Sequence, residues 1–227
     1  MDTCSPPSLF TEESLTKLMK KMIMKPFKAR SPIFKAGEAA GRLYYIRHGR
    51  VWIKRKAFDR KDFILHLLHE GDVFSTIYQM KDLSARALTD GEIGILDQAS
   101  LDELLCEEGS LAVEFTHYLE SSRRAAESKL RDLMFFGKRG ALCSILIRLA
   151  KNFGKPVEEG VQITIRLTNV ELALLAGSSR ENVNRMISDF RQQEIIAFKN
   201  DYIVIRNFNY LKKMCQCLDC PLEVCRI

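Results

Sequence analysis

The spacing of apolar residues changes rhythm along the chain. Between about Pro26 and Leu96 they alternate over short stretches, Arg42-Leu-Tyr-Tyr-Ile-Arg, Arg50-Val-Trp-Ile-Lys-Arg and Phe63-Ile-Leu-His-Leu-Leu, parted by Gly37, Gly41, Gly49 and Gly71. Alternation rich in aromatic and β-branched residues predicts strands, and the glycines predict turns between them. A run of such strands predicts an antiparallel β-sandwich or jelly roll. Over 110–137 the spacing becomes three and four, through Leu111, Phe115, Tyr118, Leu119, Ser122, Ala126, Leu130 and Leu133. That predicts one long amphipathic helix. Its stripe narrows to small residues at Ser122, Ala125 and Ala126, where a second copy can approach closely, so we read the helix as a dimer seam, with packing on its own domain as the alternative.

Gly137 and Gly140 interrupt this period. A second helix is expected through Ala141-Leu-Cys-Ser-Ile-Leu-Ile-Arg-Leu-Ala, ending at Gly154-Lys-Pro, and Val161-Gln-Ile-Thr-Ile-Arg alternates as a strand. The fold class is therefore α+β.

Two helix starts then fall ten residues apart. Thr168 with Glu171 and Ser178 with Glu181 both fit the capping box, in which hydroxyl and carboxylate answer the free N–H groups of a first turn. Ala173 leaves room for a crossing helix, Gly177 suits a left-handed turn, and Val183 and Met186 supply the buried face of the second helix. This is a helix-turn-helix. Ile195-Ile-Ala-Phe, the turn Lys199-Asn-Asp and Tyr202-Ile-Val-Ile add a hairpin, which makes the motif winged. Its second helix is expected in the major groove, offering Arg180, Glu181 and Arg185. Arginine pairs with guanine O6/N7 and glutamate accepts from cytosine N4, a combination suited to a G·C-containing half-site. Ser178 and Ser179 are placed for phosphates, and Lys199 faces either the DNA backbone or solvent.

Charge sharpens this reading. Of a net +6, residues 138–227 carry 14 basic and 9 acidic side chains, and residues 1–137 carry 21 and 20. The excess lies where nucleic-acid contact is expected. No apolar run approaches the roughly 20 residues that span a bilayer, and the first residues lack a basic region followed by an apolar one. No membrane association is expected, and the location expected is cytoplasmic. Four of the seven cysteines, Cys215, Cys217, Cys220 and Cys225, crowd into eleven residues, while Cys4, Cys106 and Cys143 are scattered. An odd total in such a chain favours a metal or cluster over a disulfide framework. His66 and His69, three apart on a strand, point to opposite faces and are read as structural, as is His48.

Gly37-Glu38 followed by Gly41, the Gly49-Arg-Val turn, Gly71-Asp-Val-Phe, the long helix and Ser178-Ser-Arg-Glu-Asn-Val-Asn-Arg together resemble the Crp/Fnr family of dimeric transcription regulators, over nearly the whole chain. The resemblance implies a cyclic-nucleotide-binding-like β-roll at 1–109, a dimerisation helix at 110–137, a winged helix-turn-helix at 138–214 and a cysteine-rich tail at 215–227. It also implies a homodimer with double-stranded DNA and RNA polymerase as partners. Ser179-Arg-Glu with Arg185 is similar to members that read TGTGA half-sites.

The cyclic-AMP-binding members have a second Gly-Glu and then Arg-Ser after the Gly-Asp pair. Here Ser75-Thr-Ile-Tyr-Gln-Met and Lys81-Asp82 stand in those places. The Asp82 carboxylate would repel a cyclic phosphate, so no cyclic AMP is expected, and Arg86 is read as a strand or surface residue. The tail spacing Cys217-x2-Cys220-x4-Cys225 resembles the Bacillus type of Fnr, an oxygen-responsive regulator with a C-terminal [4Fe–4S] cluster. That resemblance implies Cys217, Cys220 and Cys225 as ligands and Asp132 as the fourth. Cys215 is the alternative, because thiolates are the usual fourth ligand. Arg131, Lys212, Lys213 and Arg226 are the cations available to offset the cluster's charge.

An intact cluster is then expected to let the dimer bind DNA, chiefly as an activator of anaerobic genes, and its loss to free the tail. Two alternatives keep the DNA-binding module: a structural zinc on four cysteines, for which the single residue between Cys215 and Cys217 is tight, and a small-molecule effector. An enzyme is not expected, since the chain has no Gly-rich dinucleotide loop, no nucleophile elbow and no paired catalytic carboxylates.

Overall fold

The computed structural model describes residues 10–38, 41–56, 62–77 and 82–227. Cys4 and Lys81 lie outside the described residues. The chain divides into two compact units, one ending at Leu119 and the other comprising Glu120–Ile227.

The first unit opens with helix α1 (Glu12–Lys21), capped by the Thr11 hydroxyl and charged to suit its dipole, Glu12 and Glu13 in the first turn and Lys20 and Lys21 in the last. Eight strands follow: β1 (Ile23–Phe27), β2 (Pro32–Phe34), β3 (Arg42–His48), β4 (Val51–Lys56), β5 (Asp62–Leu68), β6 (Val73–Ser75), β7 (Leu83–Ala87) and β8 (Gly91–Asp97). They form two antiparallel sheets, in the orders β1-β8-β3-β6 and β2-β7-β4-β5. The expected jelly roll is present. The four turn glycines, Gly37, Gly41, Gly49 and Gly71, all take positive φ. His69 lies just past the end of β5.

Strand β3 is buried on both faces from Leu43 to Ile46. Tyr44 and Ile46 point into the sandwich, where Tyr44 stacks on Phe74 at 4.6 Å. Leu43 and Tyr45 point outward, under α1, helix α2 (Gln98–Glu107) and the start of the long helix. Helices cover this outer face, so β3 reads as a continuous apolar run and not as a strict alternation.

Helix α3 runs Gly109–Phe153 and is broken at Gly137, where φ is 58° and ψ −164°. Only glycine occupies that region readily, so the break expected from sequence is a true kink. The apolar stripe before it divides. Leu111 and Phe115 are buried in the first unit and the Tyr118 hydroxyl donates to the Val73 carbonyl, whereas Leu119, Leu130 and Leu133 are exposed. The stripe drawn from Leu111 as one seam is thus corrected: its first turns cover their own domain, and beyond them Leu119, Leu130 and Leu133 are exposed while Ala125 is buried.

In the second unit a four-stranded sheet, β11-β12-β10-β9, is built from β9 (Gly154–Val157), β10 (Gly160–Ile163), β11 (Ile196–Lys199) and β12 (Tyr202–Ile205). Asn200 and Asp201 both have positive φ, the backbone of a tight hairpin turn. Between β10 and β11 lie helices α4 (Asn169–Leu175) and α5 (Arg180–Gln192), and α6 (Phe208–Met214) leads into the cysteine tail.

Candidate metal centre and nucleic-acid interface

The polar residues of α3 make the first site. After Gly137 the helix is almost wholly buried, yet Ser144, Arg148 and Asn152 recur every four residues along one face of it. A buried guanidinium is tolerated only when its donors are answered, and those of Arg148 are. Nη2 donates to the Ser128 hydroxyl at 2.8 Å and approaches Asp132 Oδ2 at 3.5 Å, and Nε donates to the Ser144 hydroxyl at 3.3 Å. Nη1 donates to the carbonyls of Val224 and Arg226 at 3.3 and 3.1 Å. Asn152 Nδ2 donates to the Cys225 carbonyl at 2.7 Å, and Lys151 Nζ to that of Cys220 at 3.4 Å. The cysteine tail is therefore held through its backbone, against one helix face.

Asp132 is 2% exposed. Its Oδ1 accepts from Arg131 Nη2 at 2.6 Å, and its Oδ2 accepts from Ser144 and Arg148. A carboxylate so placed is not a solvated surface group. Asp132, Cys215, Cys217, Cys220 and Cys225 all line one cavity of about 320 Å³, with Arg124, Arg131 and Arg148 in its wall. Since a water molecule occupies about 30 Å³, this is room for a group much larger than one ion. Among the described residues no three His, Cys, Asp or Glu side chains converge closely enough to hold a single metal ion. The donor set, thiols with one carboxylate among guanidiniums, suits an anionic group spread over several ligand positions.

The thiols differ in setting. Burial, with Cys217 and Asp132 nearby, pushes Cys215 up to about 12, and its Sγ donates to the Leu211 carbonyl at 3.3 Å in the last turn of α6. Burial also pushes Cys225 up to about 11, against the opposing pull of the Arg148 guanidinium. Metal binding at these thiols must displace protons. Cys217 and Cys220 are half-buried. Of the cations named from sequence, Arg131 lines the cavity, while Lys212 is paired with Asp219 at 2.7 Å.

The second site is the surface of α4 and α5. Thr168 caps α4 with the complete reciprocal box to Glu171. The second box is corrected. Ser179, not Ser178, caps α5, accepting from the Asn182 N–H at 3.2 Å. Ser178 closes α4 instead: Gly177 takes φ 58° and the Ser178 N–H reaches back five residues to the Ala173 carbonyl. This left-handed helix ending consumes the residue that would have capped. The Ser178 hydroxyl is buried without a hydrogen-bond partner among the described residues, so in this conformation it does not face a phosphate. Arg180, Glu181, Arg185 and Lys199 are exposed, and Val183, Ile187 and Phe190 turn the opposite face of α5 inward, with Met186 half-buried. Arg139, two residues past the kink, steadies α5 by an ion pair with Asp189 at 2.5 Å and by packing over the Phe190 ring at 4.8 Å. That guanidinium holds Asp189 below the usual carboxylate range.

A family model for the Crp-like helix-turn-helix domain matches residues 140–214, and one for the cyclic nucleotide-binding domain matches residues 24–108. The chain is 35% identical over 201 residues to the anaerobic regulatory protein of Bacillus subtilis, covering 86% of this chain and 84% of that relative. The chain belongs to the Crp/Fnr family of transcription regulators. Another relative of this Crp/Fnr protein is the CRP-like cAMP-activated global transcriptional regulator of Mycobacterium tuberculosis, 26% identical over 88% of this chain and 91% of the relative. Its fold is shared by a CooA variant from Carboxydothermus hydrogenoformans, with TM-score 0.76 and 21% identity over 87% of this chain and 89% of that one. FixK2 from Bradyrhizobium japonicum matches at TM-score 0.73 and 19% identity, over 85% and 96%. Like its relatives, this family member is a regulator and not an enzyme. Among its described residues no helix is long and apolar enough to cross a membrane.

Sequence reasoning overlooked Ser128, Ser144, Arg148, Lys151 and Asn152. The signal was available: in a segment otherwise reading as solid core, polar residues at four-residue intervals mark one helix face.

Proposed function

We propose that this chain is an oxygen-responsive dimeric regulator that carries a [4Fe–4S] cluster on Cys217, Cys220, Cys225 and Asp132 and reads TGTGA-type palindromes, recruiting RNA polymerase chiefly as an activator. The observation that carries the reading is the single cavity lined by all four of these side chains. The 35% identical Bacillus relative is an anaerobic regulatory protein, which supports the same response here. When bound, the cluster supplies iron–sulfur bonds that oxygen can break.

The rest falls to the chain's own residues. Arg131 and Arg148 set positive charge against the anionic ligand set, and Asp132 joins the long helix to the tail. A tetrahedral zinc at about 2.3 Å from each sulfur needs those sulfurs about 4 Å apart. A cavity of about 320 Å³ suits the larger group. Cyclic AMP is disfavoured by Asp82, which is paired with Arg55, and by Arg86, whose Nε is engaged by the Arg30 carbonyl at 2.9 Å. Dimerisation falls to the exposed stripe of α3 from Leu119 to Leu133, and Arg180, Glu181 and Arg185 face the base edges.

Anaerobic purification tests the proposal. The expected product is brown, with about four irons and as many labile sulfides per chain. Asp132→Ala is expected to lose most of that iron and Cys215→Ser to keep it. A colourless, zinc-loaded protein contradicts the proposal, and iron retained by Asp132→Ala but lost by Cys215→Ser moves the fourth ligand to Cys215.

A further inference from the structure

The hydrogen bonds from α3 to the tail end on backbone carbonyls of the tail and not on a thiol, and Lys151 adds an ion pair to the Asp219 side chain at 3.8 Å. Arg148 holds Val224 and Arg226, Asn152 holds Cys225, and Lys151 holds Cys220. Below these carbonyls the side chains of Cys225 and Ile227 are each 2% exposed. The same guanidinium reaches Ser128 and Asp132 before the kink and Ser144 after it.

We infer that Arg148 is a positioning residue that docks the cysteine tail beside Asp132 without any metal, so that loss of the cluster leaves the tail in place and the ligands preassembled. This deepens the proposed function: the switch then acts through what Asp132 binds, iron or guanidinium, and not through release of the tail. The expectation that the tail comes loose is replaced by one of a docked tail whose Cys217 and Cys220 are accessible and whose Cys225 is sheltered. The chemistry fits arginine alone. Five N–H donors in a rigid planar fork can bridge two hydroxyls, a carboxylate and two carbonyls, whereas a lysine has three donors on a single nitrogen and cannot serve five acceptors.

The test is the rate at which iodoacetamide alkylates each cysteine of the full-length, cluster-free protein, read by mass spectrometry. Because no iron is present, its outcome stands apart from whether a cluster binds. In the wild type Cys225 is expected to react about tenfold or more slowly than Cys217, as sheltered groups that need local opening do. Arg148→Lys and, separately, Asn152→Ala are expected to raise the Cys225 rate severalfold while Cys143, fully buried in the same unit, stays unreactive. Equal rates at Cys225 and Cys217 in the wild type would mean a loose tail and overturn the inference. So would variants that leave Cys225 unchanged. A parallel rise at Cys143 would show general unfolding in place of undocking, and would equally overturn it.

Discussion

At the residue scale the account rests on a few charges with opposite fates. Arg148 and Asp132 are buried and answer one another across sixteen positions, and Arg180 and Arg185 are left exposed at the start of α5. Arg185 donates to the Asn182 side chain one turn back, which aims its guanidinium along the exposed face of α5, and arginine is the residue that pairs bidentately with base edges in a major groove. Arg180→Ala and Arg185→Ala are each expected to weaken binding to a TGTGA palindrome by about 1–3 kcal/mol and to relax preference at one base pair. Fluorescence anisotropy with single-base variants of the site measures both effects. Equal weakening on unrelated DNA would show that the arginine contacts phosphate only.

At the element scale the kink decides what α3 can do. Gly137 turns the helix so that Ser144 and Arg148, after the break, meet Ser128 and Asp132, before it. A Cβ at this position would meet nothing within 4 Å, so the cost of a side chain there is backbone strain alone. Gly137→Ala is therefore expected to lower unfolding stability by about 1–3 kcal/mol, read as a lower urea midpoint at unchanged m-value. An unaltered midpoint would mean that the kink is not required by the packing.

The kink, strands β3, β4 and β5 of the jelly roll, both helices of the helix-turn-helix and the wing hairpin were legible in the sequence, because each has a local signature: a period, a glycine, a capping residue. Three things were not. Helices α1, α2 and α6 were overlooked, although Thr11, Asp97 and Asn207 cap them, because at ten, ten and seven residues they are too short to show a sustained period. The choice between Ser178 and Ser179 as cap was undetermined locally, since each has a suitable residue three positions on. The glycine ending of α4 settled it. Arg148 looked like an interruption in an apolar run, because its partners lie as far as 78 positions away and only folding brings them together.

At the scale of the whole molecule, the candidate metal centre and the candidate nucleic-acid interface lie in the same unit, Glu120–Ile227, and residues of α3 take part in both, Asp132 and Arg148 in the first and Arg139 beneath the second. The exposed Leu119, Leu130 and Leu133 of the proposed seam are not among the proposed ligands, so the proposal expects a dimer with or without the cluster. A switch between two states of a dimer requires only a difference in DNA affinity between them, and about 3 kcal/mol changes occupancy roughly a hundredfold. The most direct measurement takes one anaerobically purified sample and follows its affinity for a TGTGA palindrome, together with its oligomeric state by size exclusion, before and after exposure to air. The account predicts a dimer throughout, with binding about a hundredfold weaker once the iron is gone. Iron-free protein that binds the palindrome as tightly as the anaerobic sample, or that elutes as a monomer, would contradict it.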